Sequence, residues 1–253
     1  MNLTIPSFRL DGRRALVSGV SSGIGLAIAQ GLSAMGAEVT LCARNQKPLE
    51  TAVAELVAAG FKAQFLVCDV TQTEAFNAKL EQLPTFDILV NNVGTNDPKP
   101  LTKIEVADYE RIMNLNLRSV FFTTKAVTGR LLAEKKRGSI INISSQMGHV
   151  GARHRTLYCA SKWAIEGFTK ALAVELAPNG IRVNSIAPTF IETPLTKPFL
   201  ENPDFYQEVI SKLPIGHLGQ VSDIVGAAVF LASDASSLMT GSAVLLDGGW
   251  TAQ

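Results

Sequence analysis

The chain has 253 residues, 47% of them hydrophobic, and sets 23 Lys and Arg against 22 Asp and Glu. That length suits one large α/β domain with a sizeable core. The near-zero charge balance gives no bulk attraction to nucleic acid or to an anionic membrane surface, and no apolar run approaches the ~20 residues that span a bilayer.

The opening stretch Met1-Asn2-Leu3-Thr4-Ile5-Pro6 has no basic region followed by an apolar run, so no signal peptide is expected. Three cysteines, Cys42, Cys68 and Cys159, form no CxxC pair. An odd count without such pairing fits a reduced, cytoplasmic setting. Cys42 and Cys68 lie in strand-like apolar runs and read as core fillers, while Cys159, beside Tyr158, is a candidate reactive thiol. His149, His154 and His217 have no metal-ligand spacing with cysteines or carboxylates, and no metal is expected.

Arg14 to Ser18 is a short apolar run that predicts a strand. It enters Gly19-Val20-Ser21-Ser22-Gly23-Ile24-Gly25, after which Leu26, Ile28, Ala29, Leu32 and Met35 recur at helical spacing up to Gly36. Strand, glycine turn and helix together suit nucleotide binding. Glycines let the backbone approach a diphosphate, and a helix N-terminus offers free N–H groups and a positive dipole end. The spacing here is G-xxx-G-x-G rather than G-x-G-x-x-G.

Alternation then continues. Glu38 to Arg44 reads as a strand, Pro48 to Gly60 as a helix, Lys62 to Asp69 as a strand, Thr73 to Gln82 as a helix and Asp87 to Asn92 as a strand. A long helical pattern runs from about Ile104 to Lys136, with a break near Asn114-Leu115-Asn116. Gly138 to Ser145 is a fifth strand, Tyr158 to Ala177 a helix, Ile181 to Pro188 a sixth strand, and Ser242 to Asp247 a seventh after a helix starting near Ser222. Apolar strands separated by helices of this length predict a parallel sheet covered on both faces. Thr189 to Gly219 breaks the rhythm with Pro194, Pro198, Pro203 and Pro214. Lying just past a strand's carboxyl end, it is a candidate substrate lid, though a plain surface excursion would also fit.

The end of the second strand bears on the nucleotide. A carboxylate there suits the ribose hydroxyl of NAD, whereas a basic residue suits the 2′-phosphate of NADP. Ala43-Arg44-Asn45 carries no carboxylate, and Arg44 can meet a phosphate with a bidentate fork. NADP(H) is therefore favoured over NAD(H).

Tyr158 and Lys162 are four residues apart on a predicted helix, which makes phenol and ammonium neighbours. Ser145 stands thirteen residues earlier, at a strand end. By itself the Tyr–Lys pair also fits a core ring beside a snorkelling lysine. Asn116, by the residues alone, fits a helix defect as well as a functional group.

Ser18 to Gly25, Asn91-Asn92-Val93-Gly94, Asn116, Ser145 and Tyr158-Cys159-Ala160-Ser161-Lys162 together resemble the short-chain dehydrogenase/reductase family over nearly the whole chain, including Pro188 and the ending Asp247-Gly248-Gly249. Ser18 stands where the family usually has Thr, and Val93 where Ala is usual. The resemblance implies a single Rossmann-like domain over 1–253, a doubly wound parallel sheet of about seven strands with helices on both faces. It implies a catalytic set of Asn116, Ser145, Tyr158 and Lys162, with Ser145 preferred over Ser144 because its spacing to Tyr158 and to Gly148 matches the family. It further implies cofactor contacts from Gly19, Ser21, Ser22, Gly23, Ile24, Gly25, Arg44, Asn45, Asp69, Val70, Asn92, Val93, Gly94, Tyr158, Lys162, Pro188, Ile191 and Thr193. A homotetramer in the cytoplasm is the usual form.

Ketone reduction needs a hydride on carbon and a proton on oxygen. An ordinary tyrosine, with a pKa of about 10, needs a depression of roughly 3 units to work near neutrality. Lys162, with the oxidised nicotinamide's charge, is expected to supply it. His149, Arg153, His154 and Arg155 form a basic cluster between Ser145 and Tyr158, expected either to attract an anionic or polyhydroxylated substrate or to lie in solvent or a subunit contact. Three functions remain in view: a reductase or dehydrogenase of a small polar carbonyl or alcohol (ketone, sugar, polyol or keto acid), a 3-oxoacyl-thioester reductase, and a nucleotide-sensing protein without catalysis.

Overall fold

The computed structural model describes residues 5–252; Met1 to Thr4, part of the stretch read as lacking a signal peptide, lie outside them. Seven parallel strands form one sheet: β1 (Arg14–Ser18), β2 (Glu38–Ala43), β3 (Ala63–Val67), β4 (Ile88–Asn91), β5 (Gly138–Ile143), β6 (Ile181–Pro188) and β7 (Ala243–Leu246). Their order across the sheet is β3-β2-β1-β4-β5-β6-β7. The winding reverses between β1 and β4, so the loops leaving those two strands diverge and open a crevice at the carboxyl edge.

The α-helices among the described residues are α1 (Gly23–Ala34), α2 (Gln46–Ala58), α3 (Thr73–Glu81), α4 (Val106–Met113), α5 (Ser119–Ala133), α6 (Thr156–Leu176), α7 (Lys197–Leu200), α8 (Pro203–Ser211) and α9 (Val221–Ala232). Successive strand residues alternate between two cores. Val17, Val39 and Ile141 face Ile28 and Leu32 of α1, Leu49 and Leu56 of α2 and Ile224 and Leu231 of α9. Leu16, Leu89 and Ile140 face Phe76 and Leu80 of α3, Val127 and Leu131 of α5 and Leu176 of α6. Burial on both faces is why the strands read as continuous apolar runs rather than alternating ones.

The differences from the sequence reading are local. β5 ends at Ile143, so Ser144 and Ser145 have already left the sheet. The break at Asn114 is a π-turn, Asn114–Arg118, in which the Ser119 N–H reaches back to the Asn114 carbonyl, and α4 and α5 continue on either side of it. The segment 189–219 holds two short helices, α7 and α8. Pro198 and Pro203 sit in the first turns of α7 and α8, where a missing N–H costs nothing. Asn202 caps α8 by accepting from the N–H groups of Asp204 and Phe205 at 3.0 and 3.1 Å.

Candidate active site

A cleft of about 440 Å³ runs along the carboxyl edge of the sheet, a size usual for a small-molecule site. One end is the turn between β1 and α1. Gly19 and Gly23 hold φ of +70° and +63°, conformations that favour glycine. A side chain on Gly19 would press against the Val93 backbone. Ser22 precedes α1 without capping it through its side chain, and the first turn carries no acidic residue. The leading N–H groups of α1 are thus left for an anion.

Beneath the turn, Ser18 and Asn92 lock the two diverging loops together. Ser18 Oγ donates to the Val90 carbonyl at 3.3 Å and accepts from the Asn92 N–H at 3.2 Å. Asn92 Nδ2 donates to the carbonyls of Ser18 and Gly19 at 3.2 and 2.9 Å. The hydroxyl that Ser18 shares with the family's threonine is what this bridge uses.

The cleft is lined by Gly19, Ser21, Ser22, Gly23, Ile24, Arg44, Asp69, Val70, Asn92, Val93, Gly94, Ser145, Tyr158, Lys162, Pro188, Ile191 and Thr193, all named from the sequence. Arg44 is exposed on its rim. Three sequence-named residues lie elsewhere. Gly25 is inside α1, where a side chain would collide with Asn92 Nδ2 and the Gly19 carbonyl, so its role is close packing. Asn45 precedes α2 and is exposed. Asn116 is buried behind the cleft wall. Ser144, weighed against Ser145, and Thr189 and Thr196, inside the candidate lid, also line the cleft; Thr95 and Asn96 do too and were missed, because they sit in an irregular loop where no periodicity marks them.

At the other end of the cleft, Ser145 leads out of β5 and Tyr158 and Lys162 come from the first turns of α6. The Ser145 Oγ accepts from the Met147 N–H at 3.1 Å, which fixes the hydroxyl in its loop. Gly148 lets that loop pack on α6; a side chain there would lie 3.1 Å from the Lys162 carbonyl and from Ser144 Oγ. Ser144 Oγ has no hydrogen-bond partner, whereas Ser145 is the serine that acts on the Tyr158 phenol.

Lys162 is 5% exposed, and its ammonium donates to the Ile143 carbonyl at 2.9 Å and lies 5.7 Å from the centre of the Tyr158 ring. Burial lowers its pKa from 10.5 to about 8, against the opposing pull of Glu166 one turn on. Burial also raises the Tyr158 pKa, with a hydrogen bond from Ser145 and the charge of Arg155 acting the other way. The protein alone therefore does not depress the phenol as expected. Lys162 spends its hydrogen bond on a backbone carbonyl, and burial outweighs the favourable neighbours.

Asn116 is held by both ends of its amide. Its Oδ1 accepts from the Thr95 N–H at 2.8 Å, and its Nδ2 donates to the Thr95 carbonyl at 2.9 Å and to Ser161 Oγ at 3.1 Å. Ser161 Oγ in turn donates to the Tyr158 carbonyl at 2.7 Å. The π-turn aims the amide between the strand β4 loop and α6, which a plain helix defect would not require.

The basic cluster divides. His149 lies 3.4 Å from the buried Glu166. Arg153 and His154 are exposed, and Arg155 is buried. Cys159 is buried too, and burial raises its thiol pKa, the reverse of what a reactive thiol needs. Cys42 is pushed up to about 12. Among the described residues, no group of three or more His, Cys, Asp or Glu is placed to hold a metal, and no helix is long and apolar enough to cross a membrane.

A glycine cradle at the sheet's switch point, opening on a serine, a tyrosine and a lysine, defines a nucleotide-dependent oxidoreductase. Known proteins agree. A family model described as enoyl-(acyl carrier protein) reductase matches residues 19–251. Gluconate 5-dehydrogenase of Gluconobacter oxydans is 38% identical over 248 residues, 96% of this chain and 96% of its own. L-xylulose reductase of Bos taurus is 35% identical over 244 residues, 96% and 98% of the two chains. The crystal structure of a gluconate 5-dehydrogenase from Burkholderia cenocepacia, in complex with NADP and tartrate, has a TM-score of 0.95 and 35% identity, covering 98% of this chain and 99% of that one. The chain belongs to the short-chain dehydrogenase/reductase family, whose NAD(P)-dependent members act on alcohol and carbonyl groups.

Proposed function

We propose that the protein interconverts the carbonyl and alcohol of a small polar substrate, such as a ketone, sugar, polyol or keto acid, using NADP(H). The observation that carries this is the single cleft with the glycine cradle at one end and Ser145, Tyr158 and Lys162 at the other. Relatives that are sugar and polyol dehydrogenases and reductases support the substrate class. A glycine turn that cradles a diphosphate, free N–H groups at α1 and the unpaired Arg44 on the rim fit NADP(H).

When bound, the nicotinamide exchanges a hydride with the substrate carbon. Tyr158 delivers the proton to the substrate oxygen in reduction and removes it in oxidation. Ser145 donates a hydrogen bond to that oxygen, where charge develops. Lys162 holds the cofactor side of the cleft and reloads the proton path; its pKa near 8 suits a group that gains and loses a proton near neutrality. Asn116 positions the Thr95 loop against α6. Pro188, Ile191 and Thr193 border the nicotinamide end, and the segment 189–219 closes over the substrate as part of a single domain.

Exposed apolar side chains on α5 and α6, Phe121 and Trp163 among them, suit contacts with further copies, in keeping with a homotetramer. Three buried free cysteines suit the cytoplasm. The test is a rate panel of ketoses, polyols, keto acids and acyl thioesters with NADPH, NADH and their oxidised forms. Turnover of sugars or keto acids with NADPH is expected. Turnover of acyl thioesters alone would favour a 3-oxoacyl reductase, and tight NADPH binding without any turnover would favour a sensor.

A further inference from the structure

Continuous with the cleft lies a second cavity of about 100 Å³ that shares Asn96, Ser145, Tyr158, Thr189, Leu195 and Thr196 with it. Four buried polar atoms of its lining residues find no hydrogen-bond partner among the described residues: Asn96 Oδ1, both amide atoms of Gln146, and Thr189 Oγ1. Four of the nine such atoms among the described residues thus belong to side chains packed around this one small space, sealed within its wall. Gln146 is 1% exposed, so its amide has no recourse to bulk water.

Arg155 lines the same cavity and is 9% exposed. Its guanidinium makes no hydrogen bond or ion pair within the described protein; it lies 5.9 Å from the centre of the Phe199 ring on α7. The acid that acts on it from a distance, Glu208 on α8, is committed to Lys212 at 2.7 Å. A buried charge without a counter-charge is unfavourable unless something pairs with it. A planar guanidinium pairs best with a carboxylate, which it meets with two parallel hydrogen bonds.

We propose that this cavity is the subsite for the carboxylate end of a polyhydroxy acid. Arg155 clamps the carboxylate, and Asn96, Gln146 and Thr189 make up the polar wall around it. This rests on the carbonyl–alcohol reading of the cleft and narrows its substrate to hydroxy and keto sugar acids. An acyl chain in the cavity would leave the Arg155 guanidinium buried and unpaired. A neutral polyol would offer it no counter-charge.

The experiment compares kcat/KM for matched pairs, 5-ketogluconate against D-fructose and the corresponding five-carbon keto acid and ketose, with NADPH and the intact enzyme. The wild type should favour the acids at least about tenfold, and Arg155→Gln should cut that ratio by about ten- to a hundredfold, chiefly through KM. A merely structural role would lower both members of each pair alike and leave the ratio intact, which would overturn the proposal. NADPH titration by fluorescence reports whether the variant keeps its fold. Should it not, the wild type decides: gluconate should inhibit ketose turnover at far lower concentration than sorbitol, and equal inhibition would overturn the subsite. Turnover of neutral ketoses with no preference for acids would remove this inference alone. Turnover of acetoacetyl thioester and of neither sugar class would remove the carbonyl–alcohol reading with it.

Discussion

The Lys162 ammonium donates at 2.9 Å to the carbonyl of Ile143, the last residue of β5, rather than to the Tyr158 phenol one turn back on the same helix. The lysine is therefore tied to the sheet, and the phenol stays free to face the cleft. Burial makes that arrangement electrostatically uncomfortable for both groups, as the lowered lysine and raised tyrosine pKa values record.

Removing the discomfort should stabilise the protein while destroying its activity. In the folded chain Lys162 titrates near 8, against 10.5 when exposed. Between those values the unfolded chain binds the extra proton, so this group makes stability rise with pH from about 8 to about 10.5. Below that window it costs roughly 3 kcal/mol. Lys162→Met should raise Tm at pH 7 by about 5 °C after the loss of the Ile143 hydrogen bond, and the gain should vanish near pH 10. Calorimetry of the two proteins across pH checks this.

The two directions of the reaction should differ in pH dependence. The Tyr158 phenol of the free protein holds its proton through neutrality because burial raises its pKa. Reduction uses that proton, so its kcat/KM should be flat from about pH 6 to 8, whereas oxidation needs the phenolate and should climb with pH over the same range. Paired pH profiles measure it.

Arg44 is exposed on the cleft rim and, among the described residues, pairs with no side chain. Arg44→Asp would exchange a phosphate-binding fork for a ribose-binding carboxylate. The NADPH-to-NADH ratio of kcat/KM should fall by about a hundredfold or more, with kcat for the sugar substrate little changed.

Gly25 supports the cofactor end without touching the cleft. A methyl group there would push on the Gly19 carbonyl and break the Asn92 bridge. Gly25→Ala should lower Tm by several degrees, for about 1–3 kcal/mol of overpacking, and weaken NADPH binding in a titration.

Much of this was legible because it is written locally. A strand, a glycine turn and a helix occupy consecutive residues from Arg14 onward, and Tyr158 with Lys162 needs only helical periodicity. Helix starts at Gly23 and Thr156 were read two or three residues late, because turn glycines and the residues before Tyr158 carry no apolar period. The polar cavity was invisible for a different reason. Asn96, Gln146 with Arg155, and Thr189 come from three separated loops, and only the folded sheet brings them together. Arg155 was seen as one of a basic cluster, yet nothing in His149 to Arg155 tells which member turns inward. The hydrogen bond of Lys162 to Ile143 is likewise a tertiary fact. It shows that Lys162 without the nicotinamide's charge does not depress the phenol.

The central claim is that Tyr158 is the proton donor of an NADPH-dependent carbonyl reduction. Its most direct measurement is NADPH oxidation by Tyr158→Phe, beside the wild type, on the best substrate of the panel. The kcat of the variant should fall about 10²–10⁴-fold with NADPH affinity kept. A variant that turns over as fast as the wild type would contradict it.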